Sequence, residues 1–302
     1  MQRPSFPFQQ KSSYITRHFF SVFSGPMDTR VLVDVLLIAL PLLYAGLVGL
    51  YALSFFANPR SVERLKTPVL IGVVFLHLVY VAVRTAAFDH PPITTVFEIM
   101  TVLAACIAAG YLYIELRTKV SNTGFFILIL ALLFQTVSSV FIKDLLKIPD
   151  YLHSLVLGFH VSAALLGYTG ISLSGVYSFL YLMLYHDIKS SRFGLIYDRL
   201  PNLEMLETMS HKAEVFGFFA LSIAIGIGLV WLPRVFTDFS YLDPKLVGTL
   251  VIWVIYAVGL AAKRRFGWQG RKMMLVSVVA FGFVFFSMTV INIYLSSFHS
   301  FH

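Results

Sequence analysis

Long apolar runs separated by short polar segments dominate the chain. Eight of these runs are long enough to cross an apolar bilayer core of about 30 Å as α-helices, at about 1.5 Å of rise per residue. They lie at residues 31–57, 67–86, 97–116, 121–142, 151–185, 213–235, 246–262 and 273–297. The pattern predicts an all-α, polytopic membrane protein with about eight transmembrane helices.

The composition supports this class and excludes a soluble domain. Of the 302 residues, 58% are hydrophobic and 13% are charged, and the mean hydropathy is +0.81. These values are typical of proteins that span a membrane. No large polar insert interrupts the runs, so residues 31–302 are expected to form one transmembrane domain after a polar, basic lead at residues 1–30.

The basic residues predict the orientation of the chain. The loop at residues 263–272 carries five positive charges and no negative ones, and such short basic loops remain in the cytoplasm. Alternation then places the loops near residues 87–96, 143–150 and 236–245, and the C-terminus, on the extracytoplasmic side. The basic lead would also lie outside, which departs from the rule. This distribution explains the net charge of +8 without nucleic-acid binding.

Several kinds of chemistry find little support in the sequence. Cys106 is the single cysteine, so the chain contains no internal disulfide and no CxxC redox pair. No Ser/His/Asp or paired-carboxylate arrangement occurs in the outer segments, which disfavours a hydrolytic enzyme. A secondary transporter is also disfavoured, because Pro41 and the glycine-rich run 217–228 are the only signs of broken helices and no inverted repeat is evident.

Histidines gather on the predicted outer face. They lie in the loop after the second span, at the start of the fifth and at the end of the eighth, as His90, His153, His160, His299 and His302. A histidine at a membrane interface is ordinary, because its ring is amphipathic. Zinc sites commonly add cysteine or carboxylate ligands at short spacing, which these segments lack. Haem needs only two axial ligands from opposite sides and an apolar platform, so His160 and His299 form a candidate pair for haem iron.

Two polar residues lie within the second span. His77 falls near its middle, where a titratable group is either functional or hydrogen-bonded to a Ser, a Thr or a backbone carbonyl of a neighbouring helix. Arg84 lies one or two turns further out. Its long side chain is expected either to reach the outer surface or to meet an anionic group there.

The outer loop between the sixth and seventh spans is short and aromatic. It contains Trp231, Phe236, Phe239 and Tyr241 and ends in Asp243-Pro244-Lys245. Aromatic residues at an interface usually form a belt, but they also provide a flat apolar wall for a planar ring. Asp243 suits a helix N-cap and Pro244 suits the first helical turn, so a structural role alone accounts for the Asp-Pro pair.

Taken in order, these segments resemble the cytochrome c assembly family, which includes CcsA, CcmC and HemX-like proteins. The resemblance covers roughly residues 70–300. It is carried by the order and spacing of several short segments rather than by any single motif. These segments are Pro91 with Thr95-Val96-Phe97-Glu98, Leu152-His153-Ser154, His160-Val161 with Gly167-Tyr168, Gly226 and Gly228 with Trp231, Asp243-Pro244-Lys245, Gly267-Trp268-Gln269-Gly270, and Asn292 with His299-Ser300.

The resemblance implies a set of haem-binding residues. In that family two outer histidines ligate haem on the extracytoplasmic face, over a tryptophan-rich loop, which implies His160 and His299 as axial ligands of the iron. Trp231, Asp243 and Lys245 match the loop. His77 matches the intramembrane histidine that some members use on a haem route from the cytoplasmic side. Arg84 is a further candidate for haem binding because of its place in the second span and not because of the resemblance.

The sequence also departs from the family pattern. Phe236, Phe239 and Leu242 stand where tryptophans are expected, and Leu246 stands where an acidic residue is expected after Asp-Pro-Lys. No histidine occurs near Ala261, where the second intramembrane histidine would fall. A two-histidine transmembrane haem site is therefore disfavoured, and the losses favour a HemX-like or otherwise divergent branch.

The predicted function is haem handling in cytochrome c maturation, in a bacterial-type cytoplasmic (inner) membrane. The chain would bind or present haem on the extracytoplasmic face, to another membrane protein of this pathway or to apocytochrome c. The alternative is a HemX-like regulatory or assembly protein that keeps the fold without haem transfer and contacts a partner through cytoplasmic loops, especially residues 186–212. Both of these functions are those of a binding or assembly factor more than of a conventional enzyme.

Overall fold

The computed structural model describes residues 28–286, except for residues 58, 146–148, 150–151, 153, 236–239 and 243, and gives only the backbone of residues 28, 244 and 245. The described residues form nine α-helices and no strand. The helices are α1 (Asp28–Phe56), α2 (Arg60–Phe88), α3 (Val96–Thr118), α4 (Gly124–Phe141), α5 (Leu155–Lys189), α6 (Leu195–Arg199), α7 (Leu203–Val235), α8 (Pro244–Phe266) and α9 (Arg271–Phe286).

The predicted membrane class is confirmed. Seven helices of the described part, all except α6 and α9, are long and apolar enough to cross a membrane. Helix α9 opens the eighth predicted span, and residues 287–297 of that span lie outside the described residues. Helix α7 begins at Leu203, ten residues before the predicted start, because Leu206 and Met209 bury an apolar face within a segment that is polar overall.

Successive long helices run antiparallel, so the bundle has two ends. At the Arg84 end, α2, α4 and α7 finish and α3, α5 and α8 begin; at the Lys66 end, the directions are reversed. Helices α1 to α4 pack against one another. Helix α5 packs on α3 from one side and on α7 and α9 from the other, and α8 packs against α7 and α9.

Glycines allow α5 and α7 to approach closely. A Cβ added at Gly170 would lie 2.7 Å from the Cα atom of Gly217, and one added at Gly167 would lie 3.0 Å from the backbone nitrogen of Leu221. Helix association in lipid depends on such close van der Waals packing, because apolar burial alone supplies little driving force there. This contact fixes the relative position of the two helices that carry His160 and Trp231.

Candidate functional site

His160 lies near the start of α5 and packs against α7. Its Nδ1 atom is 2.8 Å from the backbone carbonyl oxygen of Ala224. Because a carbonyl oxygen only accepts hydrogen bonds, Nδ1 carries the proton, and in the neutral ring Nε2 then holds the lone pair. A histidine that donates Nδ1–H to a carbonyl has the tautomer and the fixed ring orientation typical of metal-ligating histidines.

Gly228 makes room for the His160 ring. A Cβ at this position would lie 2.9 Å from Cε1 and 3.3 Å from Nδ1 of His160. A side chain at residue 228 therefore requires the His160 ring or the two helices to shift. The sequence pointed to Gly228 through the family resemblance, but not to this contact.

An open cavity of about 410 Å³ lies between the start of α5 and the end of α7. Its walls are formed by Trp231 together with Val156, Gly226, Ile227, Val230 and Arg234. Val156 lies one turn before His160 on α5, although His160 itself is not among the lining residues. The cavity thus combines an apolar wall, one indole and an exposed guanidinium at the Arg84 end of the bundle.

The remaining outer candidates lie largely beyond the described residues. His299 and Asp243 are outside them, and for Lys245 only the backbone position at the start of α8 is given. Their proximity to His160 therefore stays a prediction. Trp231 is half-buried near the end of α7, on the wall of the cavity described above.

His77 is fully buried and bridges three helices. Its Nδ1 lies 2.9 Å from the hydroxyl of Tyr44 on α1, and its Nε2 lies 3.0 Å from the hydroxyl of Thr101 on α3. Thr101 in turn donates to Oε1 of Gln135 on α4 at 2.7 Å. Of the two roles expected for His77, the structure places it in an interhelical hydrogen-bond network that includes a threonine.

The direction of this network can be deduced from its far end. The hydroxyl proton of Thr101 is given to Gln135, so the Thr101 oxygen must accept from His77 Nε2–H. In a neutral ring His77 Nδ1 then accepts from the Tyr44 hydroxyl. Gln135 continues the chain to Ser139, whose hydroxyl donates to the Leu37 carbonyl oxygen. Both ring nitrogens of His77 therefore take part in the network.

Arg84 meets an anionic group within the protein. Its guanidinium is 1% exposed, and Nη2 lies 3.1 Å from Oε1 of Glu98, while Nη1 lies 3.1 Å from Oδ1 of Asp144. Glu98 is also part of the capping box with Thr95 that begins α3, which explains its position beside the end of α2. The sequence left open whether Arg84 reaches the outer surface or meets an anionic group there, and it gave no sign that Asp144, in a loop, would be one of the partners.

His90 also holds in place the loop that contains Asp144. Its Nδ1 lies 3.0 Å from the carbonyl oxygen of Pro91, and its Nε2 lies 3.0 Å from that of Leu145. The ring is 3% exposed. Arg84 also donates from Nη2 to the carbonyl oxygen of Lys143, at 3.2 Å. Together these contacts fasten residues 143–145 to the junction of α2 and α3, which gives His90 a structural role.

The comparison with known proteins agrees with the resemblance found in the sequence. Residues 36–299 match the family model described as cytochrome C assembly protein. Protein HemX of Brevibacillus brevis is 26% identical over 74% of this chain and 82% of its own length. The cytochrome c biogenesis protein CcsA is 23% identical in Mesostigma viride (75% and 82% covered) and 23% identical in Trieres chinensis (86% and 93% covered). Because the family model spans most of the chain, this protein belongs to the cytochrome c assembly family.

Proposed function

We propose that the chain binds haem at the Arg84 end of the bundle and presents it for cytochrome c maturation, with His160 and His299 as the two axial ligands. The observation that carries the proposal is the hydrogen bond from His160 Nδ1–H to the Ala224 carbonyl oxygen. That bond leaves Nε2 as the nitrogen with the lone pair, which is the form that binds iron.

The cavity beside His160 supplies chemistry suited to a porphyrin. Ile227, Val230 and Trp231 form an apolar wall, and such a wall favours a large planar ring. Arg234 at the same cavity is the kind of cation that binds carboxylates in bidentate fashion, as the haem propionates require. We include Asp243 and Lys245 in the proposed haem site on the family resemblance alone.

His77 is assigned a positioning role. Its use as an iron ligand would require the loss of the hydrogen bond to Tyr44 or of the one to Thr101. In the membrane interior each hydroxyl would then need another partner. We therefore place iron ligation with the outer pair, and a haem route past His77 would require this network to open.

The orientation follows from the charges. The basic loop at residues 263–272 lies at the Lys66 end, so we assign that end to the cytoplasm and the Arg84 end, with the C-terminus, to the outside of a bacterial-type inner membrane. Several relatives are named cytochrome c biogenesis proteins. The proposed recipient of haem is accordingly another membrane protein of cytochrome c maturation or apocytochrome c.

Haem stoichiometry of the purified full-length protein tests the proposal. The variants are His160→Ala and His299→Ala, and the control is His186→Ala, which removes an exposed histidine at the Lys66 end of α5. We expect haem to co-purify with the wild type and the control and to be lost from both outer variants. Equal haem content in all four proteins, or no haem in any of them after haem-replete expression, contradicts the proposal.

A second function is favoured by a specific surface. Between α5 and α7, Phe193, Leu195 and Tyr197 expose 63%, 37% and 44% of their surface, within the segment predicted to contact a partner. A HemX-like regulatory or assembly protein would use such a surface without transferring haem. A partner that co-purifies with the wild type and with the His160→Ala/His299→Ala double variant, but not with Phe193→Ser/Tyr197→Ser, would support this function; retention by the latter pair would oppose it.

A further inference from the structure

Three helices meet at Gly259, away from the outer candidate residues. A Cβ added at Gly259 on α8 would lie 3.4 Å from Cγ1 of Val276 and 3.8 Å from Cε of Met273, both on α9. The same Cβ would lie 3.7 Å from Oε1 of Glu214 on α7. The carboxyl group of Glu214 therefore points into the junction of α7, α8 and α9 near the Lys66 end of the bundle.

Glu214 is buried without a hydrogen bond to its carboxyl group in the described part of the chain. The residue is 1% exposed, and neither carboxyl oxygen has a hydrogen-bond partner among the residues that the structure describes. His211 Nδ1 lies 3.7 Å from Oε2, which is too far for a hydrogen bond. The hydroxyl of Tyr256 on α8 and that of Ser277 on α9 are also buried and lack a partner within the described part of the chain.

Other buried carboxylates of this chain are treated differently. Glu98 receives the guanidinium of Arg84 and the backbone N–H of Thr94. Glu115 receives the hydroxyls of Tyr51 at 2.7 Å and of Thr67 at 2.5 Å. The fold therefore provides hydrogen-bond donors for Glu98 and Glu115, whereas the described residues provide none for Glu214.

Burial of an ionised carboxylate without such donors costs several kcal/mol, on the order of the effective penalty for one buried ion. A bound proton removes this penalty, since the neutral acid needs far less solvation. The geometry points to Glu214 as an intramembrane proton-binding site that is loaded at neutral pH. An ionisable group inside a membrane bundle is by default functional, and here the ligand is a proton.

Several ionisable groups lie around the site toward the Lys66 end of the bundle. On α7, His211 has a side chain that is 33% exposed, and Glu207 is already engaged by the N–H of Gly270. On α8, Lys263 is partly exposed and acts electrostatically on Glu214. On α5, Tyr181 interacts with Glu207, and α9 begins with Arg271 and Lys272.

These groups favour proton exchange at the Lys66 end of the bundle. Lys263 favours the ionised carboxylate, but it is partly solvated, so its influence is screened. His211 is the residue best placed to pass a proton between Glu214 and the aqueous phase at the Lys66 end, which the charge pattern assigns to the cytoplasm. Proton binding at Glu214 is independent of haem binding, because no residue of the outer candidate set takes part in it.

Infrared spectroscopy of the full-length protein in lipid bilayers tests directly whether Glu214 carries a proton. At neutral pH we expect the C=O stretching band of a protonated carboxyl, which shifts when the chain carries ¹³C-labelled glutamate and disappears in Glu214→Gln. The matched control Glu115→Gln removes a buried carboxylate that has two hydroxyl donors, and it should leave the band unchanged.

Two results would overturn the inference. A band that persists in Glu214→Gln would assign the proton to another residue. The absence of a ¹³C-glutamate-sensitive band in the labelled wild type would show that Glu214 is ionised, and this measurement needs no variant to fold.

Discussion

The imidazole of His160 rests directly on Gly228, where an added Cβ would lie 2.9 Å from His160 Cε1. Because this contact sets the ring against the Ala224 carbonyl, Gly228→Ala should displace the ring and weaken haem binding by about tenfold, equivalent to about 1.4 kcal/mol. Haem titration of purified protein measures this. Gly158→Ala on α5 is the control, because nothing lies within 4 Å of its added Cβ. Equal affinity of the two variants would disprove the positioning role of this contact.

The His77 network should contribute to stability rather than to haem ligation. In membrane proteins the coupling energy of a buried hydrogen-bonded pair averages about 0.6 kcal/mol and reaches about 1.7 kcal/mol. A double-mutant cycle with His77→Leu and Thr101→Val should give a coupling in this range in the free energy of unfolding. Haem content per folded molecule should stay at the wild-type value in all three variants. Loss of haem from folded His77→Leu would instead place His77 among the ligands.

The buried ion pair of Arg84 should be sensitive to the loss of one partner. Arg84→Met leaves the buried carboxylate of Glu98 without its guanidinium partner, which is expected to destabilise the protein by about 3–5 kcal/mol. The double variant Arg84→Met/Glu98→Met should recover much of this loss, as thermal or chaotrope unfolding in detergent would show. Asp144→Asn serves as the control, since Asp144 is 50% exposed and its ion pair should contribute about 0–1 kcal/mol. An additive effect of the two methionine substitutions would argue against the pairing.

Close packing of α5 on α7 should tolerate no added side chain. Gly170→Ala places a Cβ 2.7 Å from the backbone of Gly217, so it should lower the unfolding temperature and disturb the site that both helices build. Gly72→Ala on α2 meets nothing within 4 Å and should be neutral or stabilising by up to about 1 kcal/mol. Thermal unfolding of both variants in the same detergent measures the difference. A neutral Gly170→Ala would show that the helices are further apart than described.

The membrane class and seven of the eight spans were predictable because lipid demands long apolar helices, and the length of each apolar run reflects that demand directly. A hydrogen bond from His77 to a neighbouring helix was predictable for a similar reason, since a buried titratable group in a membrane needs a partner. What the pattern could not give was the identity of the partners. Tyr44, Thr101 and Gln135 lie on three different helices, and their meeting depends on how those helices pack.

The candidate site was predictable only in part. The position of His160 followed from its residue type and its place at the start of a span, whereas its contact with Ala224 depends on helix packing that glycines permit. Glu214 escaped notice because a single glutamate near a predicted span boundary resembles an ordinary interfacial charge. Its burial depends on α8 and α9, which pack over it and are distant from it in the sequence.

The ligation state of the iron tests the central claim most directly. Visible absorption spectra of haem-loaded wild type and His160→Ala, recorded with and without added imidazole, distinguish coordination by two histidines from adventitious binding. We expect a six-coordinate, low-spin spectrum in the wild type, loss of that spectrum in His160→Ala, and its return when imidazole replaces the missing ring. An unchanged spectrum in His160→Ala, or a wild type that holds no haem, would contradict the account.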